Sequence, residues 1–225
     1  MFDVVQGERR FIEGVMENIS LQWEGPFSLD TPDNRSQFHP KDAPGVYLWT
    51  VTQRLEHRIS FRISYVGQTS SLRNRMHEHI SDLLGGKALL FEDGQLHRGT
   101  QLTPFYEPPR RSENSFREFL EGFNKHSQLA YMNLVSYRFF WAEMYGHGGR
   151  QGSLFRRAVE SALIVYAKYP LQNNWRKGSG GVSLLQKNSP KVRIESDFSK
   201  AEGLREVVQA SMDYGDKQDS QGAAG

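Results

Sequence analysis

Gly45-Val46-Tyr47-Leu48-Trp49-Thr50-Val51, Ile63-Ser64-Tyr65-Val66-Gly67-Gln68-Thr69 and Ser70-Ser71-Leu72-Arg73-Asn74-Arg75-Met76-His77-Glu78-His79-Ile80 are the segments whose reading decides the fold. The first two are dense in β-branched and aromatic residues, the composition of strands. Between them Gln53 to Arg58 is a polar connector, which predicts a long hairpin. The third repeats apolar residues at Leu72, Met76, Ile80 and Leu83, one face of a helix, with Ser70 or Ser71 as its N-cap. Strand alternation puts Val46, Leu48 and Thr50 on one face and Tyr47, Trp49 and Val51 on the other. Antiparallel pairing predicts that Tyr47 and Tyr65 lie side by side with both hydroxyls aimed at one spot. Gly67 predicts a tight turn into the helix. On that helix Arg75 and His79 are four apart and share a face. Two phenols, a guanidinium and an imidazole therefore converge from three adjacent elements.

The segment Val135 to Met144 is apolar on both faces and predicts a central third strand. The glycine-rich stretch Gly146 to Gly152 lacks the Gly-Lys-Ser/Thr ending of a phosphate loop and reads as a loop. After it, Ser153 caps a helix that is expected to run through Tyr169, with Phe155, Val159, Ala162 or Leu163, and Tyr166 buried. Glu160 lies near that buried face. A half-buried carboxylate needs a partner, which is either a cation such as Arg156, one turn earlier, or a metal. Tyr169-Pro170-Leu171-Gln172-Asn173-Asn174 follows.

Gly45-Val46-Tyr47 and Tyr65-Val66-Gly67 resemble the two half-motifs that name the GIY-YIG nuclease superfamily. Arg75, ten residues beyond Tyr65, stands where that family has its helix arginine, and His79 stands where the restriction and homing branches add a histidine. Glu160 and Asn173 are similar to the family's late glutamate and its asparagine after a proline, with Asn174 as the adjacent alternative. The gap between the half-motifs, from Leu48 to Ser64, is longer than is usual in the family. The resemblance covers about residues 44–84 and 135–175. It implies an α/β fold with a small, three-stranded, mainly antiparallel sheet flanked by helices. It also implies a divalent-metal-dependent DNA endonuclease leaving 5′-phosphate and 3′-hydroxyl ends.

In that reading Glu160 holds one Mg²⁺ or Mn²⁺ per active site, and Arg75 binds the phosphate. Tyr47 activates water with His79 as base or relay. Tyr65 positions the phosphate or water, and Asn173 orients groups around it. Arg75, His79 and a nearby metal would each favour the Tyr47 phenolate. His79, the long insertion and the lack of a second recognisable domain look most like type II restriction enzymes, which act as homodimers on double-stranded DNA. The alternatives are a repair, mobile-element or single-strand-specific nuclease of the same family, a DNA-binding module that does not cut, and a structural protein whose tyrosines merely pack.

Three regions follow from these boundaries. Residues 1–43 carry a helix over roughly 6–19 (Phe11, Ile12, Val15, Met16, Ile19), a short strand at Leu21-Gln22-Trp23 and a polar arm from Ser28 to Pro44. Residues 44–177 form the core, with an insertion at about 85–134. Within the insertion Leu89-Leu90-Phe91 reads as a strand, Asp93-Gly94 as a tight turn, and 113–131 as a helix with Phe116, Phe119, Leu120 and Phe123 on its apolar face. Residues 178–225 form an extension that opens with Gly178-Ser179-Gly180-Gly181. It includes a strand at Val192–Ile194, a short helix around Leu204, Val207, Val208 and Met212, and a disordered tail from Asp213.

The 225 residues contain no cysteine, which excludes disulfides and thiolate metal sites and fits a reducing cytoplasm. The N-terminal residues show no secretory signal pattern, and no apolar run reaches transmembrane length. The chain's net charge of +2 divides unevenly: residues 195–225 are net −4, which leaves +6 for residues 1–194. A basic body suits a polyanion and equally suits an ordinary solvated surface.

Overall fold

The computed structural model describes residues 17–55, 58–92, 96, 104–108, 115–145, 149–167 and 192–204. Five strands form one sheet: β1 (Glu17–Phe27), β2 (Gly45–Leu55), β3 (Arg58–Thr69), β4 (Tyr137–Glu143) and β5 (Val192–Ala201), in the order β3-β2-β4-β1-β5. The helices are α1 (Pro32–Gln37), α2 (Leu72–Leu84), α3 (Ser115–Glu121), α4 (Phe123–Ser136) and α5 (Gly149–Ala167). The class is α/β, as expected, but the sheet is larger than three strands. The antiparallel trio β3-β2-β4 is present, and β1 adds antiparallel to β4 while β5 adds parallel to β1.

The extra strand β1 corrects the reading of residue 19 as helical. Ile19, Leu21 and Trp23 are all buried, a period of two, which seats them on one face of a sheet. Residues 6–16 lie outside the described residues. The arm after β1 holds a short helix, α1, started by Thr31, whose hydroxyl accepts the Asn34 N–H. Asp30 ties this arm to β4 through Arg138 at 2.8 Å.

The hairpin is paired along its whole length, from Gly45↔Thr69 to Leu55↔Arg58, with an irregularity between Trp49 and Thr50. The polar residues Gln53 and Arg54 are therefore ladder residues and not a connector. Strand β4 lies between β2 and β1 with Tyr137, Phe139, Phe140, Trp141 and Ala142 buried, as its two apolar faces predict. It starts at Tyr137 because α4 runs on through Ser136.

Each face of the sheet has its own core. One holds Val46, Leu48, Val66, Phe140 and Ala142 against Phe155, Val159 and Leu163 of α5. The other holds Tyr47, Trp49, Val51, Phe139 and Trp141 against Leu72, Met76 and Leu83 of α2 and Leu129 and Ala130 of α4. Helix α5 thus covers one face and α2 with α4 the other. Helix α5 begins at Gly149, before the expected Ser153 cap.

In the insertion the single helix expected over 113–131 is two, broken at Gly122, where an added Cβ would run into the His126 ring. Phe119 is buried, whereas Leu120 and Phe123 are half exposed. The expected strand at Leu89–Phe91 reduces to one bridge, Leu90↔Tyr106. Buried Asn133 takes the place of a neighbouring strand: its Oδ1 accepts the Phe91 N–H at 2.8 Å and its Nδ2 donates to the Phe91 carbonyl at 2.7 Å. The expected Asp93-Gly94 turn, the 178–181 break and the tail from Asp213 lie outside the described residues, and so does the terminal helix beyond Leu204. Among the described residues no helix is long and apolar enough to cross a membrane.

Candidate active site

The site is built on the hairpin and the helix that follows it. Ser71 caps α2, accepting the Asn74 N–H, and the Ser71 hydroxyl donates to Asp42. The Leu72 N–H donates to the Ala43 carbonyl, and the Arg73 N–H to that of Lys41. Lys41 is itself ion-paired to Glu143 at the end of β4, at 2.6 Å. These contacts fix the start of α2 against the strand entry, so Arg75 about one turn later and His79 about two turns later hang over Tyr47.

The strand register differs from a direct tyrosine pair. Tyr47 lies opposite Gly67, and Tyr65 lies opposite Trp49. The two tyrosines are diagonal neighbours with ring centroids 6.0 Å apart, still within reach of one another. The register also explains Gly67. An added Cβ there would collide with the Tyr47 ring, so glycine serves to let that ring lie across β3. The tight turn expected of Gly67 is not its role, and its φ is not positive.

Tyr47 is buried, 1% exposed, under the side chains around it. His79 stands edge-on to three rings, with centroids 4.7 Å from Trp49, 5.4 Å from Tyr65 and 5.6 Å from Tyr47. Arg75 Nε donates to the Tyr47 hydroxyl oxygen at 3.3 Å, and the hydroxyl lies 2.7 Å from His79 Nε2. Burial, aided by the Arg75 charge, pushes His79 down to about 3, so the imidazole is neutral at pH 7. A neutral ring with Nε2 unprotonated accepts the Tyr47 proton, and the three groups form one chain from Arg75 through Tyr47 to His79.

Burial also pushes the Tyr47 phenol well above its ordinary value, with the adjacent Tyr65 adding to the rise and Arg75 only partly opposing it. Tyr47 is therefore a phenol at rest, not the phenolate that the nearby charges alone would favour. Burial would lower Arg75, but its bonds to Glu78 and Tyr47 outweigh this and hold it firmly cationic. Arg75 Nη1 donates to Glu78 Oε2 at 2.7 Å.

Of the six residues expected at the site, four meet: Tyr47, Tyr65, Arg75 and His79. Glu160 is half-buried on α5, whose apolar side chains pack on the opposite face of the sheet. Helix α5 and these four side chains thus pack on opposite faces of the sheet. Between them lies β3, where Arg156 Nε donates to Gln68 Oε1 at 3.4 Å, one residue from Gly67. Asn173 lies outside the described residues, as does Asn174. Among the described residues no three His, Cys, Asp or Glu side chains gather as a metal-holding group.

Two neighbours are absent from the sequence-derived set. Trp49 forms part of the wall around His79, a place foreshadowed by its sharing a strand face with Tyr47. Glu78 sits on Arg75, three residues further along α2, a spacing at which helix side chains meet. Compared with protein-family models, with curated proteins and with solved structures, the chain matches none.

Proposed function

We propose that the chain is a divalent-metal-dependent DNA endonuclease with a GIY-YIG-like site, acting on double-stranded DNA as a type II restriction enzyme. The observation that carries this reading is the hydrogen-bonded chain Arg75–Tyr47–His79 with Tyr65 beside it. Hydrolysis of a phosphodiester needs charge stabilisation at phosphorus and a place for the proton of the attacking water. Arg75, partly exposed and always charged, supplies the first. His79, neutral and already bonded to the Tyr47 hydroxyl, supplies the second: Tyr47 hands its proton to Nε2 as it takes one from water. Tyr65, partly exposed beside Tyr47, would orient the phosphate or the water.

Mg²⁺ keeps most of its waters and needs only one or two carboxylates besides substrate oxygens; half-buried Glu160 is the carboxylate proposed for it, although its helix covers the face of the sheet away from Arg75, Tyr47 and His79. Glu160 would hold the ion, which when bound polarises the phosphoryl oxygen and eases departure of the leaving oxygen. Products would carry 5′-phosphate and 3′-hydroxyl ends. A single site cuts one strand, so a homodimer on DNA is part of the proposal.

The decisive experiment is Glu160→Ala. Mg²⁺-dependent cutting should disappear while DNA binding survives, and undiminished cutting would remove the metal role. A second reading, a DNA-binding module that does not cut, is favoured by one observation: α5 lies on the face of the sheet away from the Arg75–Tyr47–His79 chain. Mg²⁺-dependent strand scission by the wild-type chain excludes it.

A further inference from the structure

Glu78 occupies the group that a phosphate would seek. Its carboxylate is 2.7 Å from Arg75 Nη1, while Arg75 Nε is turned inward to Tyr47. The Glu78 side chain is 59% exposed and lines an open groove of about 600 Å³ along α2 with Asn74, His77, Ser81 and Asp82. More than half of this side chain faces solvent, so its hold on Arg75 rests on the ion pair and not on packing. A carboxylate and a phosphate oxygen are equivalent acceptors for a guanidinium, so the two compete for the same N–H groups.

We propose that Glu78 is the internal competitor of the substrate phosphate at Arg75. This rests on the nuclease reading above. An exposed ion pair of this kind contributes little, so it is a weak gate. It screens Arg75 from an isolated anion but yields to a polyanion, which brings neighbouring phosphates and counterion release to the exchange. Glu78 thereby biases the site towards a nucleic-acid chain over free phosphate.

The test is binding of a mixed-sequence DNA duplex in the absence of divalent metal, comparing the wild-type chain with Glu78→Gln and Asp82→Asn. Both substitutions remove one negative charge from the same groove. Glu78→Gln should tighten binding by about three-fold, the scale of an exposed pair, and Asp82→Asn should change it much less. In an Arg75→Ala background the gain from Glu78→Gln should vanish, because the carboxylate acts through that guanidinium. Equal tightening by both substitutions would mean bulk charge and would overturn the proposal. Weaker binding by Glu78→Gln would mean that Glu78 orients Arg75 for the phosphate, which also overturns it. A wild-type chain that binds no duplex at any salt removes the nuclease reading itself and this inference with it.

Discussion

Tyr47 has exchanged nearly all of its contact with water for two polar partners, Arg75 and His79. Its hydroxyl is worth keeping in such a place only if the proton on it matters or if the bonds hold the helix to the hairpin. The two roles separate by substitution. Tyr47→Phe keeps the ring and its packing and removes the proton path, so the cleavage rate should fall by about 10²-fold or more with DNA affinity little changed. Equal loss of rate and affinity would make Tyr47 a binding residue.

His79 makes a second prediction at this scale. Its folded pKa lies near 3 and its unfolded value near 6.5, so below about 6.5 the unfolded chain takes up a proton that the folded chain refuses. The His79 contribution is therefore fully present above that pH and is lost as pH falls towards 3. Thermal denaturation across this range should show a shallower loss of stability for His79→Gln than for the wild-type chain. Parallel pH profiles would mean that His79 is not held neutral.

The hairpin and α2 act as one element. Gly67 gives room to the Tyr47 ring, and that ring places its hydroxyl under α2. Gly67→Ala must move either the ring or the strand, so chemical denaturation should report a loss of about 1–3 kcal/mol, and cleavage should fall even in protein that remains folded. Retained stability and activity would show that Tyr47 can shift without cost.

The hairpin, α2 and the face each strand side chain takes were legible in the sequence because short-range periodicity dictates them: Leu72 and Met76 are buried, and Tyr47, Trp49 and Val51 share a core. The register was not legible. Whether Tyr47 faces Tyr65 or Gly67 is settled by ring packing and by the irregularity after Trp49, neither of which has a local signature. Strand β1 was half hidden for a similar reason, since the apolar spacing before Ile19 continued a helical pattern while Ile19, Leu21 and Trp23 alternate. Glu78 differs: its i,i+3 spacing from Arg75 is a local helix signal, so this ion pair was legible once α2 was recognised.

Across the whole molecule the sheet keeps two chemistries apart. The tyrosines, Arg75 and His79 occupy the face under α2, and Glu160 rides on the helix that covers the other face. A basic body of net +6 over residues 1–194 predicts that duplex binding weakens as salt rises, with several phosphates contributing to the slope. Salt-independent binding would point to a different ligand. The central claim is that the Arg75–Tyr47–His79 chain serves phosphodiester cleavage, and incubating supercoiled plasmid with Mg²⁺ and either the wild-type chain or Arg75→Ala tests it most directly. The wild-type chain should give discrete linear fragments, and Arg75→Ala should leave the supercoiled DNA intact. Plasmid left intact by folded wild-type protein, or cut equally well by Arg75→Ala, would contradict it.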